Sequence, residues 1–407
     1  MKWEVVTLGD ISESIQTGPF GSQLHQSDYS ESGTPVVMPK DLVNGRISTE
    51  SIARVAESHV ERLSRHKIIP GDILYSRRGD VGRCAYTSKD EENWLCGTGC
   101  LRVTIDRNKA NPKFVFYQLQ TAKSVGWVEK HAVGATMLNL NTSILSAVPV
   151  SIPSLDMQNR IAEMLSSYDT LIENNQKQIK LLEEAAQRLY KEWFIDLRFP
   201  GHESTPIHDG IPEGWERKTI EDVCETVGGG TPSTSKPEYY DSGAIYWVTP
   251  SDLTKKKSLI LLETEKRITQ EGYDNSSAKM VPPETILMTS RASIGYFALC
   301  EHEVCTNQGF ISCMPFSDNL RFFLLFNLMS RVDEIKGKAT GSTFLEIAKR
   351  TFREMSIVVP AEIELTLFTK QIKPIISQIR VLEKENVKLT QTRDRLLPKL
   401  MSGEIEV

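Results

Sequence analysis

The sequence predicts an α+β protein in which two mixed α/β domains stand in tandem, each followed by a long helix, the two helices pairing as an antiparallel coiled coil. Three observations carry this: an internal repeat through both halves, short apolar runs bounded by turn residues, and a heptad seam closing each half.

The repeat comes first because self-similarity at a long period sets the architecture before any single motif is weighed. Trp3-Glu4-Val5-Val6-Thr7-Leu8-Gly9-Asp10-Ile11 matches Trp215-Glu216-Arg217-Lys218-Thr219-Ile220-Glu221-Asp222-Val223. Pro39-Lys40-Asp41-Leu42 answers Pro250-Ser251-Asp252-Leu253. Pro70-Gly71-Asp72-Ile73-Leu74, followed by Arg78 and Gly82, matches Pro283-Glu284-Thr285-Ile286-Leu287, followed by Arg291 and Gly295 at the same spacing. Gly134-Ala135-Thr136-Met137-Leu138-Asn139 matches Gly341-Ser342-Thr343-Phe344-Leu345-Glu346, and Pro153 matches Pro360. The matches keep their order, so each half is one copy of a common unit.

Within each half, runs such as Val36-Val37-Met38 and Ile245-Tyr246-Trp247-Val248 are bounded by Gly, Pro and Ser, the pattern of strands joined by loops. After Pro153 and Pro360 the period becomes helical. Ile161, Leu165, Tyr168, Ile172, Asn175, Ile179, Leu182, Ala186, Leu189 and Trp193 follow at steps of four and three. Phe368, Ile372, Ile375, Ile379, Leu382, Asn386, Leu389, Arg393, Leu396 and Leu400 repeat the pattern. So long and narrow a stripe fits a seam against another helix better than a helix lying on its own domain. Pro374 removes a backbone donor, so the second helix is predicted to start or kink there.

Antiparallel pairing about the seam midpoints sets Asn175 opposite Asn386 and Arg393 opposite Tyr168. Parallel pairing in register sets Asn175 against Leu382 and Asn386 against Ile179. An amide buried against leucine leaves donors unpaired at about 1–3 kcal/mol, whereas two facing amides bond each other. The antiparallel arrangement is therefore predicted, and about 40 helical residues at ~1.5 Å each make a rod on the order of 60 Å long. The predicted divisions are 1–153 for the first domain, 154–198 for the first helix, 199–214 for a linker, 215–360 for the second domain, and 361–407 for the second helix and tail.

A chain of 407 residues suits two or three domains, each able to bury a core. A hydrophobic share of 40% and a charged share of 25% are those of soluble globular protein. Met1-Lys2-Trp3-Glu4-Val5 lacks the apolar stretch of a signal peptide, and no apolar run approaches the roughly 20 residues of a membrane span. No membrane association is expected, and a cytoplasmic location is. Seven cysteines, an odd number, argue for reduced thiols. Neither Cys96 with Cys100 nor Cys300 with Cys305 has the spacing of a zinc knuckle, and no His pair accompanies them, so no metal is expected. The net charge of -5 gives no general attraction to nucleic acid, which leaves local basic patches and shape to supply any.

Several motifs act together. Thr17-Gly18-Pro19-Phe20-Gly21-Ser22 lies near the start, Asn307-Gln308-Gly309-Phe310 in the second half, and glycine-threonine loops at Gly134 and Gly341. Ile211-Pro212-Glu213-Gly214-Trp215 opens the second domain, and Leu396-Leu397-Pro398-Lys399-Leu400-Met401-Ser402-Gly403-Glu404-Ile405 closes the helix that follows it. On these motifs the chain resembles, over essentially its whole length, the specificity subunits of type I restriction-modification systems. The resemblance implies two target recognition domains, each reading one half of a bipartite site in double-stranded DNA. It also implies two partner methyltransferase (M) subunits that modify adenine with S-adenosylmethionine, and motor-endonuclease (R) subunits that use ATP and magnesium. No cofactor is expected in this chain itself. One departure is Cys96-Gly97-Thr98-Gly99, which stands where the second half has Thr306-Asn307-Gln308-Gly309.

DNA affinity needs cations and backbone donors for phosphate, and specificity needs side chains that reach base edges. Arg77-Arg78-Gly79-Asp80 follows a strand, Lys255-Lys256-Lys257 follows the Pro250 match, and Lys336 and Lys338 flank Gly337 ahead of the Gly341 loop. Thr136, Ser342 and Thr343 carry hydroxyls in the glycine loops. Arg78 and Arg291, shared by both halves, fit phosphate contact or scaffold. Divergent positions fit base discrimination: Asn139 against Glu346, Lys40 against Ser251, and Gln16-Thr17-Gly18 against Gly230-Thr231-Pro232. Gly18, Gly21, Gly134 and Gly341 have a second reading as tight turns with positive φ.

No reactive constellation accompanies these loops. There is no Asp-Pro-Pro-Tyr or Asn-Pro-Pro motif for amino-methyl transfer, and Gly228-Gly229-Gly230 lacks the spacing and lysine of a phosphate loop. Asp72 and Asp80 stand among arginines without the adjacent acidic-lysine pair that holds magnesium in nucleases. The chain is expected to be non-catalytic. Two other readings stay open on sequence: a reading subunit of another type of methylation or cleavage enzyme, and a coiled-coil scaffold whose domains bind protein.

Overall fold

The computed structural model describes residues 3–134, 138–256 and 258–405 and divides into two compact units. One comprises Met1–Leu171 with Leu389–Val407 and the other Ile172–Lys388, so each contains an α/β domain and a stretch of both long helices.

In the first unit, Ser12–Thr17, Cys100–Ile105, Ile73–Ser76 and Cys84–Tyr86 form an antiparallel sheet in that order. All four residues of Ile73–Ser76 are buried because both faces of the strand are covered. Ile73 and Tyr75 join Leu101, Val103 and Phe114 in one cluster, while Leu74 points the other way, to Val37, Leu42 and Ile68. Phe114 comes from the helix Pro112–Leu119, which starts where the Asn111 side chain accepts the Lys113 and Phe114 N–H groups.

The second unit repeats this plan. Its sheet runs Cys224–Gly228, Phe310–Pro315, Ile286–Thr289, Phe297–Cys300 and Ile260–Leu261. Ile286 and Met288 pack with Phe322 and Phe326 of the helix Asp318–Ser330, and Leu287 packs with Val248, Leu253 and Leu261 on the opposite face. In each unit the domain's opening strand pairs antiparallel with its closing one: Glu4–Thr7 with Pro149–Ile152, and Glu216–Thr219 with Ser356–Val359. A long helix follows directly in both.

Those helices are Leu155–Tyr190, which passes into a π-turn at Lys191–Ile195, and Glu362–Ser402. In the second unit the Phe368 ring lies 5.8 Å from Trp193 and 4.8 Å from Phe194, and Asn175 bonds to Glu385. In the first unit Asp169 bonds to Arg393, and Ile161 and Leu165 share a core with Leu400. Residue numbers rise on one helix as they fall on the other, so the pairing is antiparallel. Phe368, Ile372, Ile379 and Leu382 are buried along the seam, worth about 1.5–3 kcal/mol each.

Four details differ from expectation. Of the two expectations for Pro374, the start is not met: the second helix begins at Glu362 and runs through the exposed proline, which offers no N–H to the carbonyl of exposed Lys370 one turn earlier. Tyr190 and Ile376 take core positions expected of Leu189 and Ile375, the drift that 3.6 residues per turn imposes on a strict heptad. Asn175 and Asn386 are both buried but do not bond each other. Asn175 Nδ2 donates to Glu385 Oε2 at 3.2 Å, because a carboxylate is a stronger acceptor than an amide. For the same reason Arg393 pairs with Asp169, at 2.7 Å, rather than with Tyr168.

Candidate nucleic-acid interface

Four loops meet at one end of the first unit's main sheet. Thr17 ends its strand opposite Leu101, and Gly18 N–H donates to the Cys100 carbonyl at 2.9 Å. A Cβ on Gly18 would stand 1.9 Å from the Gly97 carbonyl oxygen, so only glycine permits this approach. Arg77 N–H donates to Gly99 O, and Leu140 N–H donates to Arg77 O, both at 2.8 Å. Arg78 forms a bridge with Asn139, and Gly79 N–H reaches Leu138 O at 3.1 Å.

The second unit reproduces the bonds of the arginine hairpin one for one. Ser290 N–H donates to Gly309 O at 2.7 Å, and Ile347 N–H to Ser290 O at 3.0 Å. Arg291 forms a bridge with Glu346, and Ala292 N–H reaches Leu345 O at 2.8 Å. Gly97 N–H to Val37 O and Asn307 N–H to Val248 O correspond as well, both at 2.9 Å. Arg78 and Arg291 are thus true counterparts, while Ser290 stands for Arg77.

One match is corrected by the register. Thr17 pairs with Leu101 and Gly228 pairs with Ile311, so the counterpart of Thr17-Gly18 is Gly228-Gly229, not Thr231-Pro232. A Cβ on Gly229 would lie 2.2 Å from Asn307 O, the counterpart of the close approach that Gly18 makes to Gly97 O. A run of three glycines gives sequence matching no handle on which one carries the contact. Thr231 lies just beyond, its hydroxyl bonded to Gln308.

The side chains at these loops differ between units. Arg78 is exposed and has no ion-pair partner among the described residues, whereas Arg291 Nε lies 3.6 Å from Glu346 Oε2. The Arg77 guanidinium sits 5.9 Å from the centre of the exposed Phe20 ring. Arg77 Nε and Asn139 Oδ1 are buried without partners among the described residues. Ser342 and Thr343 are exposed on the loop begun by Gly341, whose φ is 139°.

Lys40 and Ser251 follow the matching prolines on turns held alike: Asp41 accepts Met38 N–H at 2.8 Å, and Asp252 accepts Thr249 N–H at 2.7 Å. Burial pushes the Asp41 carboxyl above its usual range, with the Met38 bond pulling it back. Pro39 lies against Gly99 and Pro250 against Gly309, so these turns border the loop cluster. The Lys40 ammonium donates to Ser51 O at 2.7 Å, and Ser251 Oγ lies 2.8 Å from Thr249 Oγ1. Lys255 stands apart on the helix Pro250–Lys256, bound to Glu265 at 2.7 Å, and Lys338 lies 4.0 Å from Glu334. Such exposed pairs are weak enough to exchange a carboxylate for a phosphate. Thr136 and the Lys256 side chain lie outside the described residues.

Sequence reasoning placed Gln308 in a motif but gave it no role, although it holds Thr231, and passed over Lys349, whose Nζ would be 2.9 Å from a Cβ on Gly228. The basic pair Lys349-Arg350 just after the Gly341 loop was the available signal. Among the described residues, no group of three or more His, Cys, Asp or Glu is placed to hold a metal, and no helix is long and apolar enough to cross a membrane. All seven cysteines are free and buried.

Two units of one design, each locking an arginine hairpin to a glycine loop while varying the side chains around it, define a tandem recognition protein. Residues 1–184 and 212–391 match the sequence model of the type I restriction modification DNA specificity domain, and the chain belongs to that family. It is 23% identical over 469 residues to the type I restriction enzyme HindI specificity subunit of Haemophilus influenzae, covering 99% of each chain. To the type I restriction enzyme MjaIX specificity subunit of Methanocaldococcus jannaschii it is 25% identical over 419 residues, covering 100% of this chain and 94% of the relative. The S subunit of a type I restriction-modification system from M. genitalium has the same fold, with a TM-score of 0.59 at 17% identity over 98% of this chain and 96% of that one.

Proposed function

We propose that this chain is the DNA-reading, non-catalytic specificity subunit of a type I restriction-modification complex and binds a bipartite site with one domain per half-site. The observation that carries the proposal is the recurrence of the arginine hairpin and glycine loop in both units with different side chains around them. Common backbone geometry supports a common way of gripping phosphate, and Asn139 against Glu346, or Lys40 against Ser251, supports different bases read. Arg78 and Arg291 take the phosphate role. Thr17, Gly18, Arg77, Thr231, Ser342 and Thr343 belong to the reading loops, with Lys255 and Lys338 as outer cations, and Thr136 and Lys256 are assigned to the same roles from the sequence. The domains at 1–153 and 215–360 read, and the helices at 154–198 and 361–407, with the linker at 199–214, carry them.

The chemistry belongs to partners in the cytoplasm: two methyltransferase subunits that modify adenine with S-adenosylmethionine, and motor-endonuclease subunits that use ATP and magnesium. The test is methylation mapping by single-molecule sequencing in cells expressing this chain with its methyltransferase, against the methyltransferase alone. A methylated-adenine motif of two short halves with a fixed gap, present only with this chain, is the expected result. A soluble complex with no new motif overturns it in favour of a protein-binding scaffold.

A further inference from the structure

Of the chain's 14 phenylalanines, three stand among the exposed large side chains of the described residues: Phe20, Phe316 and Phe344. Phe316 follows the strand Phe310–Pro315, at the end of the sheet away from Gly309. The other two flank the arginine hairpin that both units share. Phe20 lies under the Arg77 guanidinium, 5.9 Å from its carbon, and Phe344 precedes Leu345, whose carbonyl takes the N–H of the residue after Arg291.

They reach that place from different loops. Phe20 belongs to the loop after the first strand of its sheet, and Phe344 to the Gly341 loop, so the repeat does not oblige one to follow from the other. Both backbones are held while the rings stay in water. Gln23 and Leu24 N–H groups close on Phe20 O at 2.8 and 3.3 Å, and the Gly341 turn packs against Phe344 O. The rings remain 52% and 57% exposed.

From this geometry we infer that Phe20 and Phe344 are apolar readers of DNA, each meeting a thymine methyl or the face of a base at its own half-site. The inference deepens the function proposed above and rests on it. An exposed aromatic ring on a held backbone next to an arginine hairpin matches the two surfaces that a duplex presents together, phosphate and apolar base. A protein-docking surface more commonly gathers its apolar side chains into one patch, whereas here a single ring lies beside the Arg77 guanidinium in the first unit and a single ring stands on the loop bonded to the Arg291 hairpin in the second.

The experiment maps methylated motifs for wild type, Phe20→Ala and Phe344→Ala, each as the full chain with its methyltransferase. Phe20→Ala is expected to relax one base position in one half-site by about tenfold and leave the other half unchanged; Phe344→Ala does the reverse. Unfolding midpoints stay at the wild-type value because both rings are exposed. A variant that keeps the wild-type base preferences in both halves overturns the inference, whether modification is normal or uniformly weakened. Uniform weakening with less methyltransferase recovered in the complex identifies a protein contact instead. A wild type that yields no two-part motif removes the functional reading and this inference with it.

Discussion

Asn175 Nδ2 donates to Glu385 Oε2 at 3.2 Å across the two long helices, and the carbonyl oxygen of the buried Asn386 is left without a partner among the described residues. A buried unpaired acceptor carries its desolvation penalty uncompensated. Asn386→Leu is therefore expected to stabilise the chain by about 1 kcal/mol, and Asn175→Leu to be close to neutral because exposed Glu385 is re-solvated. The double variant should equal the sum of the singles within about 0.5 kcal/mol in a urea-unfolding cycle. A coupling well above that would mean that the two amides do bond.

Gly79 and Ala292 occupy matching turns, one residue after Arg78 and Arg291, with φ of 75° and 59°. A Cβ on Gly79 would meet nothing within 4 Å, so Gly79→Ala adds backbone strain alone, expected at about 1 kcal/mol. Ala292 already bears that strain, and Ala292→Gly should return about 0.5–1 kcal/mol after the greater freedom of the unfolded glycine is counted. Thermal unfolding of both variants checks the pair. Shifts of the same sign would show that the turns are not equivalent.

Glu183 accepts the Leu259 N–H at 3.0 Å from a largely buried position on the first long helix. Burial pushes its carboxyl up to about 7; the Leu259 bond pulls it down, and Glu383 nearby adds to the rise. The folded pKa lies above the unfolded one, so folding retains a proton that the unfolded chain releases from about pH 4.5 upward, and stability falls as pH rises from there through 7. Glu183→Gln keeps the acceptor and cannot ionise. It should match wild type below pH 5 and exceed it by about 1–3 kcal/mol at pH 8 in pH-resolved urea unfolding. An advantage that does not vary with pH would rule out ionisation of the buried carboxyl as its cause.

The architecture was legible where order and period carry it. Two domains with a helix after each followed from the repeat, and the direction of the helix pair from the placement of Asn175 and Asn386, although the bond invoked for that choice does not form. What failed depended on competition among side chains that no pattern encodes: Glu385 displacing Asn386, and Asp169 displacing Tyr168. At the candidate interface, Arg78 and Arg291 were found because the repeat names them twice. Phe20 was hidden because exposure, the property that singles it out, belongs to the fold and not to the residue. Lys255 looked like a free cation in sequence, but Glu265, ten residues on, bonds it in the structure.

The shared arginines differ in one respect that a binding measurement can read. Arg78 faces the neutral amide of Asn139 in its bridge, whereas Arg291 faces the carboxylate of Glu346 at 3.6 Å. If both arginines grip phosphate, Arg291 must first release an ion partner, which both weakens the contact and reduces the net counterion release on binding. Glu346→Asn, which installs the first unit's residue at the matching position, should tighten DNA binding by the methyltransferase-bound chain and steepen the slope of log K against log salt by about 1. Arg78→Ala should do the opposite, flattening the slope by about 1 and weakening binding alike across sequences. If Glu346→Asn instead changes which bases the second half-site accepts and leaves the slope alone, the carboxylate reads a base edge, accepting from a cytosine amino group as acidic side chains do. Arg291 would then hold that carboxylate in place, not the phosphate.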